Sequence, residues 1–193
     1  MTFKAPDSLA EQIAHHLAER IIRGDLKPGE RIQEQKVTLA LNVSRGSVRE
    51  ALLILERRHL IAILPRRGAH VTELTAHKVQ SLCTLMGELY ILLGNAVAQG
   101  WQTQADMAPF MQIQQRLIAS FERQDIRAFV EESFKVMRAA YPFANNPYLQ
   151  ETVEYLQPAM NRAYYLALDQ RKASMSEYLA LCEQLLAAVL ARD

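Results

Sequence analysis

The sequence predicts a mainly α-helical protein, with a winged helix-turn-helix and small β-hairpin wing at residues 1–74 and an all-α helical bundle at 75–193. Three observations predict it. Half of the 193 residues are hydrophobic, enough for a packed core, and only seven Gly and seven Pro interrupt helices. Residues 34–58 read as two short helices parted by Asn42-Val43, the second opening on Ser44. Two β-prone runs, Ile61–Leu64 and Ala69–Thr72, flank Pro65-Arg-Arg-Gly68, which is hairpin punctuation, and no strand signal follows residue 74.

Each element has a local cause. Ser8 caps a first helix, with Glu11 placed to complete a capping box. Leu9, Ile13, Leu17 and Ile21 recur at helical spacing, and Gly24 ends the helix after about Arg23. Leu26-Lys-Pro-Gly-Glu30 is a turn. A second helix over 34–41 carries Val37 and Leu41 inward, and Asn42 is a left-handed terminator. Ser44 caps a third helix from Arg45 to about Arg58, with Val48, Ala51, Leu52 and Leu55 as its buried stripe. Gly68 is the residue that lets the wing turn sharply. Thr75 caps a fourth helix over 75–99, whose wide apolar face includes Leu82, Leu85, Met86, Leu89, Leu92 and Leu93. Gly100-Trp101 breaks it, and 104–123, 125–140, 147–169 and 174–191 favour further helices. Pro142 with Asn145-Asn-Pro147, and Gln170–Ala173, separate the later ones.

Charge is distributed unevenly. Residues 1–74 carry a net +3 and 75–193 a net −2, while 31–67 alone hold eight basic and three acidic side chains. Positive charge is thus concentrated where contact with phosphates would release counterions. Arg45 and Arg49 lie four apart on one helix face, opposite the buried stripe. An arginine fork fits the O6 and N7 acceptors of guanine. Ser44 and Ser47, with the N–H groups at the helix start, suit a phosphate. A solvated arginine face with a capping serine is the alternative reading. Arg58, at the far end of the same helix, reads as a partner of the helix dipole.

Three motifs in order, Ile22-Arg-Gly-Asp-Leu-Lys-Pro-Gly-Glu-Arg31, Val43-Ser-Arg-Gly-Ser-Val-Arg-Glu-Ala-Leu52 and Pro65-Arg-Arg-Gly68 followed by Val71, resemble the GntR family of bacterial transcriptional regulators. The helical half resembles the ligand-binding (FCD-like) domain of the FadR-type subgroup, on Glu131-Glu-Ser-Phe-Lys135 and the downstream Asn146-Pro147. The resemblance implies a homodimer on a palindromic double-stranded DNA operator, with an effector in the helical domain. It places Arg66, Arg67 and Gly68 in or beside the minor groove. Where relatives carry a third arginine this chain has Gln35, followed by Lys36; Gln35 is placed to read adenine or Lys36 to hold a phosphate.

Relatives of this subgroup hold a divalent metal with an Asp and three His. Here the five histidines all lie at or before His77, the Asp-x-x-Phe-His pattern reads Glu131 to Lys135, and a later histidine corresponds to Cys182. No metal or other cofactor is expected, Lys135 pairing instead with Glu131. The tyrosines of the last third suit either core or an organic effector pocket, for which Arg138, Tyr155, Arg162 and Tyr165 are candidates, with Arg116 a further cation.

No Ser-His-Asp set, phosphate loop or dinucleotide fingerprint supports an enzyme. No run approaches the roughly 18 apolar residues of a membrane span, Met1–Asp7 lacks a secretory pattern, and two distant cysteines argue for a reducing cytoplasm. The expectation is a cytoplasmic DNA-binding regulator, most simply a repressor. The alternative is a regulator whose helical half only oligomerises.

Overall fold

A computed structural model of the chain describes residues 8–170 and 174–192. The N-terminal stretch 1–7, most of the separator expected at 170–173, and Asp193 lie outside the described residues. The order is α1 (Leu9–Ile22), β1 (Arg31–Ile32), α2 (Glu34–Leu41), α3 (Arg45–Arg57), β2 (Ile61–Leu64), β3 (Gly68–Val71), α4 (Ala76–Gly100), α5 (Gln104–Glu122), α6 (Ile126–Ala144), α7 (Pro147–Gln170) and α8 (Ser174–Ala191). This is a winged helix-turn-helix followed by an all-helical bundle.

The first core forms where α1 crosses α3. Ile13, Leu17 and Ile21 pack with Val48, Ala51, Leu52 and Leu55, and Leu60, Ile61 and Val71 close it from the sheet. Each such side chain contributes about 1.5–3 kcal/mol on burial. Leu9, expected on this face, is largely exposed because it sits in the first turn, beyond the end of α3's stripe. Ser8 caps α1 through the Glu11 amide at 3.2 Å. The Glu11 carboxylate does not return to the cap; it bonds Arg58 at 2.9 Å and ties the two helices together. Arg58 therefore serves a tertiary ion pair as well as the end of α3.

The wing is a three-stranded antiparallel sheet, not the expected two-stranded one, with β3 between β1 and β2. Arg31 stands opposite His70, and Leu64 opposite Gly68. A two-residue strand carries no alternation, so β1 could be found only through its partner. The loop Pro65–Arg67 closes with Arg67 N–H donating to Leu64 O at 3.1 Å. Both Arg66 (φ 61°) and Gly68 (φ 82°) are left-handed, so the glycine shares the sharp turn with an arginine.

Helices α4 to α8 bury two apolar clusters, one around Met86, Leu93, Val97 and Phe110, the other around Leu117, Phe129, Phe134 and Leu168. Pro142 does not end α6, which continues to Ala144 and stops at left-handed Asn145 (φ 43°). Tyr141, Phe143 and Ala144 pack into the first cluster, and that burial outweighs the roughly 3 kcal/mol cost of an internal proline. By length and composition α4 is apolar enough to cross a bilayer, against expectation, because its apolar run is interrupted mainly by uncharged Ser, Cys, Thr and Gly, with Glu88 the charge at its centre. Only 17% of its most apolar 18-residue window is buried in the chain, and Leu85, Ile91 and Leu92 face outward. α7 also packs against α1, joining the two halves.

Candidate nucleic-acid interface

Ser44 starts α3 by accepting the Ser47 amide at 3.1 Å, and the two hydroxyls lie 2.9 Å apart. The cap fixes where the helix begins and therefore which residues face outward at its tip. Arg45 and Arg49 are exposed on that face. The Arg45 side chain makes no hydrogen bond or ion pair among the described residues. Arg49 instead donates its Nε to Glu34 at 3.0 Å, across the turn to α2. The pair is solvent-exposed, so it is worth at most about 1 kcal/mol and yields readily to a better partner. Glu34 thus holds the fork at the turn between α2 and α3.

One groove brings these elements together. It is lined by Arg31 and Ile32 of β1, Gln33 to Gln35 at the start of α2, Arg45, and Gly68-Ala69 of the wing. Gln35 thus shares a surface with Arg45. Lys36 does not; it lines a separate cleft with His16, Arg20 and Glu30 of the first helix and turn. Arg66 and Arg67 are exposed at the wing tip beyond Gly68. Arg31, absent from the sequence candidates, lies with its guanidinium where a Cβ on Gly68 would meet it at 3.6 Å. It adds a cation between the wing and α2, and only the β1–β3 pairing reveals it. The Glu56 carboxylate accepts the Ile63 amide at 2.7 Å, clamping the wing to α3.

The helical half holds an apolar cavity. Its volume of about 310 Å³ opens among α4, α5, α6, α7 and α8, walled by residues such as Leu93, Val97, Phe110 and Leu186, with Tyr164 and Tyr178. Tyr164 and Tyr178 meet edge-to-face at 5.4 Å. Burial pushes both phenols well above their ordinary value, and pushes the Cys182 thiol up as well. Tyr90, also on the wall and not anticipated, has a buried hydroxyl without a partner among the described residues.

The four effector candidates are not brought together. Arg138 and Tyr165 line a different cleft, between α1 and α6–α7. Tyr155 is exposed on α7. Arg162 is 1% exposed and turned toward the N-terminal half, where it donates to Thr72. Arg116 is tied to Glu132 at 2.8 Å. Lys135 pairs with Glu132 and not with Glu131, whose partner is Arg127 at 2.8 Å. Glu131 and Lys135 are exposed, while Ser133 and Met137, two residues on, turn into the bundle. Among the described residues no three His, Cys, Asp or Glu converge. Ser133, Met137 and Cys182 are not a donor set that fits a divalent ion.

Residues 9–71 match the family model for bacterial regulatory proteins of the gntR family, and 93–193 match the FCD domain. McbR, an HTH-type transcriptional regulator of Escherichia coli K12, is 28% identical over 96% of this chain and 84% of its own length. The HTH-type transcriptional repressor RspR of the same strain is 26% identical over 82% of this chain and 69% of its own. The solved structure of E. coli McbR/YncC superposes with a TM-score of 0.80 at 25% identity, covering 97% of this chain and 89% of that one. A regulator from Rhodococcus sp. RHA1 shares the fold at a TM-score of 0.73 and 23% identity, over 96% of this chain and 87% of that one. With both halves matched in order, on a capped, arginine-bearing helix beside a cationic wing, the chain belongs to the GntR family of DNA-binding transcriptional regulators, with an FCD domain behind its winged helix.

Proposed function

We propose that this regulator is a cytoplasmic homodimer that binds a palindromic operator, represses from it, and senses a small organic effector without a metal cofactor. One observation carries the reading: Arg45, Gln35, Arg31 and Gly68 line a single groove beside the wing tip. A helix tip in the major groove and cations beside it supply base contacts and phosphate contacts from one surface. Arg45 and Arg49 read base edges, Ser44 and Ser47 hold a phosphate, and Arg66 and Arg67 follow the minor groove. Gln35 adds a base contact, and Lys36 adds charge at the rim.

The exposed apolar stripe of α4, Leu85, Ile91 and Leu92, supports self-association, since a face of that kind is ordinarily covered. Two-fold symmetry of the protein then dictates a two-fold operator. The bundle cavity favours effector sensing over a helical half that only oligomerises. The chemistry of an enzyme is not needed anywhere in this account. The test is selection of genomic fragments on the purified protein, followed by sequencing. A recovered inverted repeat supports the reading, and fragments without a shared motif contradict it.

A further inference from the structure

We propose that the bundle cavity takes an uncharged, mostly apolar ligand that carries a single hydroxyl or carbonyl, with the Tyr90 hydroxyl as its polar anchor; this rests on the effector-sensing reading above. Among the described residues no Asp, Glu, Lys, Arg or His lines the cavity, whose polar side chains besides Tyr90 are Gln114, Tyr164, Tyr178 and Cys182. A carboxylate or phosphate inside it would lose its hydration with no counter-charge, a cost of several kcal/mol or more in such surroundings. The nearest cations of α6, Lys135 and Arg138, line the cleft toward α1 instead. The volume of about 310 Å³ lies at the small end of ligand sites and suits one ring or a short acyl chain.

Tyr90 supplies the specificity. Its hydroxyl is buried and makes no hydrogen bond among the described residues, although such groups are nearly always paired. Burial holds the phenol well above its ordinary range, so it stays neutral and able to donate. It is closed off from the cavity as it stands, so a ligand oxygen satisfies it only after the side chains that cover it shift. Gly94 offers the control: a Cβ there meets only Leu185 at 4.0 Å, so a larger side chain extends into the cavity without striking backbone.

Calorimetric titration of the full chain at pH 7.5 tests this with four probes: benzyl alcohol, toluene, 1-octanol and benzoate. Benzyl alcohol is expected to bind at least tenfold more tightly than benzoate, and roughly three- to tenfold more tightly than toluene. Tyr90→Phe should erase the preference for the alcohol over toluene, and Gly94→Leu should abolish binding of all probes. If a variant fails to fold, the comparison of probes on the unaltered chain still reads the same contact. Benzoate binding as well as the alcohol, no preference for the alcohol over toluene, or no binding at all, overturns the inference. Binding as expected with unchanged affinity for DNA leaves this inference standing and removes the effector-sensing reading.

Discussion

Arg162 of α7 donates its Nη1 to both the carbonyl and the hydroxyl of Thr72, at 2.8 and 3.0 Å, at the root of the wing. Thr72 in turn donates toward the carbonyls of His59 and Leu60, just after α3. One buried guanidinium thus ties the helical half to the end of α3 and to β3. It has no carboxylate partner, and its Nη2 is unsatisfied among the described residues. Burial lowers its pKa accordingly.

Arg162→Met should therefore loosen the two halves from each other. The loss is about 2–3 kcal/mol, the worth of charge-assisted hydrogen bonds to a buried acceptor. The melting temperature should fall by roughly 5–10 °C, since about 2–4 °C accompanies each kcal/mol at this size. Thr72→Val should cost less, because the carbonyl acceptor survives. Scanning calorimetry of both variants checks the order.

The two thiols should differ sharply. Cys83 is exposed, whereas Cys182 is half-buried and burial pushes its thiol up. At pH 8 a disulfide reagent should modify one thiol per chain quickly and the second at least tenfold more slowly, because only the thiolate attacks. Equal rates in the folded chain would contradict the placement of Cys182 beside Tyr178.

Alkali should destabilise the helical half through its tyrosines. Burial raises Tyr90, Tyr164 and Tyr178 well above 10.0, and Tyr141 to about 12. Between pH 10 and 12 the folded chain keeps protons that the unfolded chain has lost. The unfolded state then binds fewer protons, so stability is full below about pH 10 and falls as pH rises through that window. Melting temperatures from pH 8 to 11.5, with phenolate absorbance followed in parallel, check the sign.

The apolar stripe of α4 predicts a dimer. Leu85 and Leu92 are two turns apart on one face and about half exposed. Replacing both with glutamate should give a monomer in the ultracentrifuge, with its helix content intact. Operator affinity should fall at least tenfold as the second half-site is lost.

Much of this was legible in the chain because its causes are local. Ser44, Asn42 and Thr75 set helix boundaries through their own side chains or backbone, and the structure places all three at those boundaries. Val48, Ala51, Leu52 and Leu55 bury as their period requires. What escaped depends on distant partners. β1 exists only because Arg31 and Ile32 pair with β3. Glu11 turns to Arg58 through the packing of α1 on α3, not through its cap. Pro142 stays inside a helix because Phe143 and Ala144 have a core to enter. The same reason explains the site. Residue type suggested Arg162 and Tyr155 for an effector, but only the packing shows that one joins the two halves and the other faces solvent, while Tyr90 walls the cavity.

Direct titration of the recovered operator with the Arg45→Ala and Arg49→Ala variants, at several salt concentrations, tests the central claim most closely. Each substitution should weaken operator binding by roughly ten- to a hundredfold, about 1–3 kcal/mol, while binding to random DNA falls far less and the melting temperature holds. Arg67→Ala should instead weaken both DNAs about equally and lower the salt slope by about one. Wild-type affinity for the operator in the Arg45 and Arg49 variants would contradict the assignment of this surface.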